Sequence, residues 1–175
     1  MAEYLDLVAV VKHVAIENFL AETDGFLGDS GMNNFYLYRL TGQHLHVVIP
    51  WDKSEATKDG PAYPILHNVD DVPQEKRNKL MERAMKWGDL QALYFDTLLA
   101  CADSASEPGP GDGRGWLERE VEREYGQVRD AAIADTTKPY SNEDFAVAID
   151  ALRVFAQQRA EWVRVEVARR RPETP

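Results

Sequence analysis

Three residues of this chain have types and spacing that could hold a divalent cation. Asp24 falls in a glycine-rich loop, Asn34 stands where that loop gives way to a strand, and Asp52 follows a second strand. Carboxylate and amide oxygens are hard ligands of the kind that Mg²⁺ or Mn²⁺ prefers. In phosphoryl transfer such an ion bridges nucleotide phosphates, while another Asp orients or deprotonates the acceptor hydroxyl. Asp and Asn are also ordinary turn residues, so spacing by itself leaves both readings open.

The elements around these residues decide whether they can meet. Residues 4 to 22 carry Leu5, Val8, Val11, Ala15, Phe19 and Leu20 at three- and four-residue spacing, which predicts a helix. Leu7, Val10 and Val14 widen its apolar arc, with Glu3, Lys12 and Glu22 off the stripe, so it should be covered on more than one side. Asp24 to Asn33, with Gly25, Gly28 and Gly31, reads as a loop. Phe35 to Leu40 and Gln43 to Pro50 flank Thr41-Gly42 and predict a β-hairpin, which Pro50 ends. A tight hairpin sets the start of one strand beside the end of the other. Asn34 and Asp52 should therefore be neighbours, with Asp24 in reach. A loop Asp, a following Asn, a hairpin and a second Asp is also the layout of protein-kinase sites.

The remaining chain reads mainly as helices. Residues 51 to 72 are irregular, with Gly60, Pro61 and Pro64, and a connection of that length is usually functional or mobile. Asp71, Pro73 and Gln74 predict the start of a helix that runs through Met81, Met85 and Leu90 to about Ala102, interrupted near Gly88. Residues 103 to 115 are a Gly/Pro/Ser-rich loop. Trp116 to Ala134 predicts a helix with Leu117, Val121, Tyr125 and Val128 inward and a solvated charged face. Ser141 and Asp144 form a capping box opening the last helix, whose core stripe is Phe145, Ile149, Leu152, Phe155, Ala156, Trp162 and Val163. Arg169, Arg170 and Arg171 complement that helix's dipole, a simpler reading than a phosphate site. The expected fold is a single α+β domain over 1–175, predominantly helical, around one small antiparallel hairpin.

Composition narrows the function classes. A chain of 175 residues with 44% apolar content builds one domain with a real core. Its net charge of −10 and pI near 4.9 argue against nucleic acid as a partner. No apolar run is long enough to span a bilayer and no signal peptide opens the sequence, so the chain as given is expected in the cytoplasm. The single cysteine, Cys101, excludes an internal disulfide and sits in an apolar run, which predicts a buried, inert thiol. His44 and His46 share a strand face without a further metal ligand at recognisable spacing and read as solvent-facing. His13 and His67 have no adjacent nucleophile. Trp51, Trp87, Trp116 and Trp162 read as packing residues.

Residue identities add to the spacing. The strings Asp24-Gly25-Phe26, Asn34-Phe35-Tyr36-Leu37-Tyr38-Arg39 and Val48-Ile49-Pro50-Trp51-Asp52 resemble the CotH family of spore-coat-protein-type atypical protein kinases. The stretch Phe155 to Trp162 is similar to that family's closing helix. The resemblance implies kinase large-lobe-like helices around the hairpin, ATP with Mg²⁺ or Mn²⁺ as cofactor, and transfer to Ser or Thr of a protein substrate. It assigns Asp24 as the catalytic-loop Asp, and Asn34 and Asp52 as the metal- and nucleotide-binding residues, with Asn33 as a rival to Asn34.

Two departures qualify that assignment. The family commonly has an acidic residue two positions after the Trp-Asp aspartate, where this chain has Ser54 followed by Glu55. The strand-borne lysine and small lobe that clamp ATP phosphates in kinases also have no counterpart before residue 4. The expectation is a C-terminal lobe whose N-terminal lobe is missing: a fragment, a split gene product or a degenerate member, weak or inactive in isolation. Within a longer protein, a cell-surface or spore-associated location becomes open. The rival expectation is a non-catalytic surface or coat interaction domain that keeps the fold.

Overall fold

The computed structural model describes residues 3–29 and 31–171. Its elements are helix α1 (Leu7–Phe19), strands β1 (Phe35–Arg39) and β2 (His46–Pro50), a 3₁₀ turn (Gln74–Lys76), and helices α2 (Lys79–Ala84), α3 (Gly88–Ser106), α4 (Trp116–Ala134) and α5 (Asn142–Arg170). The predominantly helical α+β fold with one two-stranded antiparallel sheet is the one the sequence predicts.

Helix α1 starts where the Asp6 carboxylate accepts from the Ala9 N–H at 3.0 Å, and it is shorter at both ends than its apolar pattern. Val10, Val11, Val14, Ala15 and Phe19 are buried, whereas Val8 and Ile16 face outward. Glu22, read as off the stripe, is buried as well. Helix α3 packs against both α1 and α5 through Tyr94, Phe95, Leu98 and Ala102. Helices α4 and α5 pair along their length, and α4 also touches α3. Arg153 grips Glu122 with two bonds, Nε to Oε1 at 2.6 Å and a terminal nitrogen to Oε2 at 3.1 Å, across the α4–α5 seam. Val121 is the buried residue of α4, while Val128, expected inward, is 46% exposed. The far half of this helix pair faces solvent because nothing in the core reaches it.

The capping box at Ser141 and Asp144 forms as read, each side chain bonding the other's backbone N–H. The expected start at Asp71 does not form. Asn78 caps α2 instead, its Oδ1 accepting from Leu80 and Met81, and Trp87 precedes α3 without a side-chain cap. Asp71 Oδ1 is engaged by the Asn68 N–H at 2.6 Å, so it cannot serve a helix downstream. The four tryptophans are exposed, from 36% for Trp162 to 67% for Trp87, contrary to the packing role expected of them.

Arg159 fastens α5 to the rest. It is fully buried and spends its donors on four carbonyls: Asn18 O at 2.5 Å, Phe19 O at 2.8 Å, Pro61 O at 2.8 Å and Tyr63 O at 2.6 Å. Helix α1 has no basic residue in its last turn, so Arg159 supplies the cation its carbonyl end favours. Burial pulls the guanidinium down to about 10, which leaves it charged at neutral pH. Arg159→Met keeps the stem but orphans those acceptors, and should cost on the order of 3 kcal/mol or more. A urea midpoint equal to the unaltered chain's would refute that role.

Candidate active site

The loop after α1 curls on itself. Gly28 N donates to Gly25 O at 3.0 Å, Asp29 N to Thr23 O at 2.9 Å and Asn33 N to Gly25 O at 3.1 Å. This brings Asn33 and Asn34 back to Asp24. Asn34 Nδ2 donates to the Asp24 carbonyl and to its Oδ2, both at 2.9 Å, and Asn33 Nδ2 reaches both carboxylate oxygens at 3.2 Å. Asn34 has a left-handed backbone, φ +52°, which Asn tolerates better than most residues.

The hairpin delivers Asp52 as its geometry predicts. Phe35 pairs with Pro50, and the Trp51 N–H extends the ladder by donating to Asn34 O at 2.9 Å. Asp52 is the next residue, exposed, with φ +39° and Oδ1 accepting from the Ser54 N–H at 3.3 Å. Asp24 and Asn34 thus touch directly, and Asp52 stands beside Asn34 in register without a hydrogen bond to either. Glu55, the acid one place beyond Ser54, is paired with Lys58 at 2.5 Å. His46 opens β2 and places its Nδ1 2.7 Å from Tyr4 O, whereas His44 precedes the strand and is exposed.

Three charged residues that sequence reasoning passed over hold this arrangement. Glu17 is buried in α1, and its Oε2 accepts the Phe26 N–H at 2.8 Å. Its Oε1 binds Lys53 Nζ at 2.5 Å and has His13 Nε2 at 3.0 Å. Lys53 also donates to Asn34 O at 3.2 Å. Burial would push the Glu17 carboxyl up, but the bonds and charges of His13 and Lys53 together hold it below its usual range. Glu22, also buried, accepts the Asp24 N–H on Oε1 at 2.9 Å and leaves Oε2 without a partner, and burial pushes its carboxyl up. Glu17 continues the buried stripe of Val10 and Val14, and an acid at core spacing was the legible signal.

The connection after the hairpin is built into the core rather than loose, burying Tyr63, Ile65, Leu66 and Val69. His67 ties it to the Asp24 loop, with Nε2 2.6 Å from Asp29 and Nδ1 3.1 Å from Asp71. Asn68 adds a bond to Leu27 O at 2.5 Å.

The oxygens fit a hard cation only in part. Asn34 commits its amide nitrogen to Asp24, which leaves Oδ1 as an acceptor, and Asp52 has a second free oxygen. Among the described residues, no group of three or more His, Cys, Asp or Glu side chains could grip an ion unaided. Mg²⁺ is commonly bound by one or two protein oxygens plus substrate phosphates, and this donor set suits that case. Among the described residues, no helix is long and apolar enough to cross a membrane. The model of the family described as "CotH kinase protein" matches residues 1–163. The chain belongs to the CotH kinase family. A comparison with curated proteins finds no match. The CotH match covers α1, the hairpin, α2 to α4 and most of α5, so Glu17, Lys53 and Arg159 all lie inside it.

Two substitutions test this layout. A Cβ at Gly25 would lie 2.7 Å from the Glu17 carboxylate. Gly25→Ala should therefore destabilise by about 1–3 kcal/mol, and an unchanged melting temperature would contradict the packing. Glu22→Gln probes the raised carboxyl. The folded chain holds that proton above the ordinary value of 4.5, so stability falls as pH rises through the folded pKa. The Gln variant lacks that fall, and its melting temperature should gain on the unaltered chain as pH rises above the ordinary value of 4.5. A pH-independent difference would count against the assignment.

Proposed function

We propose that this chain performs the metal- and phosphate-handling part of ATP-dependent phosphoryl transfer to Ser or Thr of a protein. The observation that carries it is the bonded Asp24–Asn34 pair at the mouth of a hairpin that sets Asp52 beside it. Asp24 would orient the acceptor hydroxyl and take its proton, its direction fixed by the amides of Asn33 and Asn34. Asn34 Oδ1 and Asp52 would hold Mg²⁺ or Mn²⁺, which supplies charge neutralisation on the nucleotide phosphates when bound. Neither β1 nor β2 carries a lysine, so a strand-borne phosphate clamp is not supplied by this hairpin. On this reading the chain corresponds to the large lobe, and its turnover alone should be weak.

The second reading, a surface or coat interaction domain that kept the fold, is favoured by the neutral Ser54 and by the pairing of Glu55 with Lys58. Radiolabelled transfer to a generic acidic protein with Mn²⁺, and nucleotide binding by calorimetry, separate the two. Asp24→Asn should lower transfer by about 10²–10⁴-fold with nucleotide binding kept, whereas Asp52→Asn should abolish metal-dependent nucleotide binding. Metal-dependent binding that survives Asp52→Asn would overturn the assignment, and no binding by the unaltered chain would favour the interaction domain.

A further inference from the structure

Lys53 bonds the backbone carbonyl of Asn34, a candidate ligand residue. Its ammonium lies between Glu17 Oε1, at 2.5 Å, and Asn34 O, at 3.2 Å, on a side chain that keeps a quarter of its surface. Around it stand the acids Glu17, Glu22, Asp24 and Asp52, of which the first two are buried. The chain as a whole is acidic. A site of that sign attracts a bare divalent ion but repels the polyphosphate that must arrive with it. Kinase sites commonly offset phosphate charge with two metal ions. Here the residues after Asp52 do not offer a second free carboxylate, since Ser54 is neutral and Glu55 is paired with Lys58.

Resting on the kinase reading above, we propose that Lys53 is the fixed cation of this site. It takes the place of a second divalent ion, so that the chain binds nucleotide with one metal ion and disfavours a bare one. Glu17 is the positioning residue for that charge: it holds the ammonium in place and partly offsets it. The ion pair lies beneath the hairpin mouth, where Lys53 bonds the carbonyl of Asn34 while the Asn34 side chain is occupied by Asp24. One positive charge is thus fixed beside both candidate metal ligands, bonded to the Asn34 carbonyl and one position after Asp52 in the chain.

The test uses two probes, Mn²⁺ alone followed by electron paramagnetic resonance, and a non-hydrolysable ATP analogue with saturating Mg²⁺ followed by calorimetry. Lys53→Met should tighten Mn²⁺ alone by about threefold to tenfold and weaken the analogue by a similar factor. Lys53→Arg should leave both near the unaltered values. Glu17→Gln, which frees the ammonium from its counter-charge, should shift the two affinities in the opposite sense to Lys53→Met. With Mn²⁺ in place of Mg²⁺, one Mn²⁺ per chain is expected in the analogue complex. A merely structural role would weaken both probes together, and that result, no change, or two Mn²⁺ per chain overturns the assignment to Lys53. Absence of both bindings in the unaltered chain overturns the kinase reading and this inference with it.

Discussion

A carboxylate buried in the last turn of α1 is the constraint on which the rest of the site depends. A buried acid is tolerated only when paired and hydrogen-bonded, and Glu17 meets that demand by drawing in two distant segments. The Phe26 N–H fixes the loop that carries Asp24, and Lys53 fixes the turn that carries Asp52. Because Lys53 also bonds Asn34 O, one side chain sets the relative position of all three candidate residues. Gly25 follows from the same constraint, since no side chain fits between the loop and that carboxylate.

The neighbouring residues of that turn receive the opposite charge on the opposite side. Asn18 reaches Tyr94 at 2.7 Å with its side chain, and the carbonyls of Asn18 and Phe19 receive Arg159 from α5. Glu17 and Arg159 are therefore buried ions of opposite sign served by one turn of helix, through different partners. Sliding α1 by a residue against α5 would leave Arg159 uncompensated, and sliding it against the Asp24 loop and the end of β2 would do the same to Glu17. Apolar packing alone tolerates such slips far better, so these ions give the helical layer its register and make the loop position reproducible.

This division explains what was legible in the sequence. The hairpin was readable because alternation and a Thr41-Gly42 turn are local signals, and its register then placed Asn34 beside Asp52 without tertiary knowledge. The Ser141–Asp144 cap was readable for the same reason. Asp71 failed as a cap because its carboxylate is taken by Asn68 and His67, a competition that only the folded connection reveals. Glu17, Glu22 and Arg159 were passed over because charge was read as a mark of solvent. Yet Glu17 continues the spacing of Val10 and Val14, and Arg159 falls between Ala156 and Val163 in the buried stripe of α5. The tryptophans erred in the other direction: size predicts packing, but Trp51 is exposed and meets Tyr36, itself exposed, edge-on at 5.6 Å.

The distribution of hydrogen bonds also bears on which oxygen does what within the proposed site. A carboxylate offers about four lone-pair positions, and Asp24 already receives amide donors on both oxygens. Its remaining capacity suits one hydroxyl proton better than a share in a cation's shell. Asp52 is used once, by a backbone N–H, and stands in solvent. Asn33 and Asn34 both donate to Asp24, but only Asn34 adds the ladder bond from Trp51 and the bond from Lys53 through its carbonyl. That fixes Asn34 on the Asp52 side of the loop, whereas Asn33 is exposed and its bonds go to Asp24 and Gly25. The proposed acid–base role and the proposed metal role thus separate along the chain as Asp24 and as Asn34 with Asp52, because the donors that immobilise the first leave acceptors open on the other two.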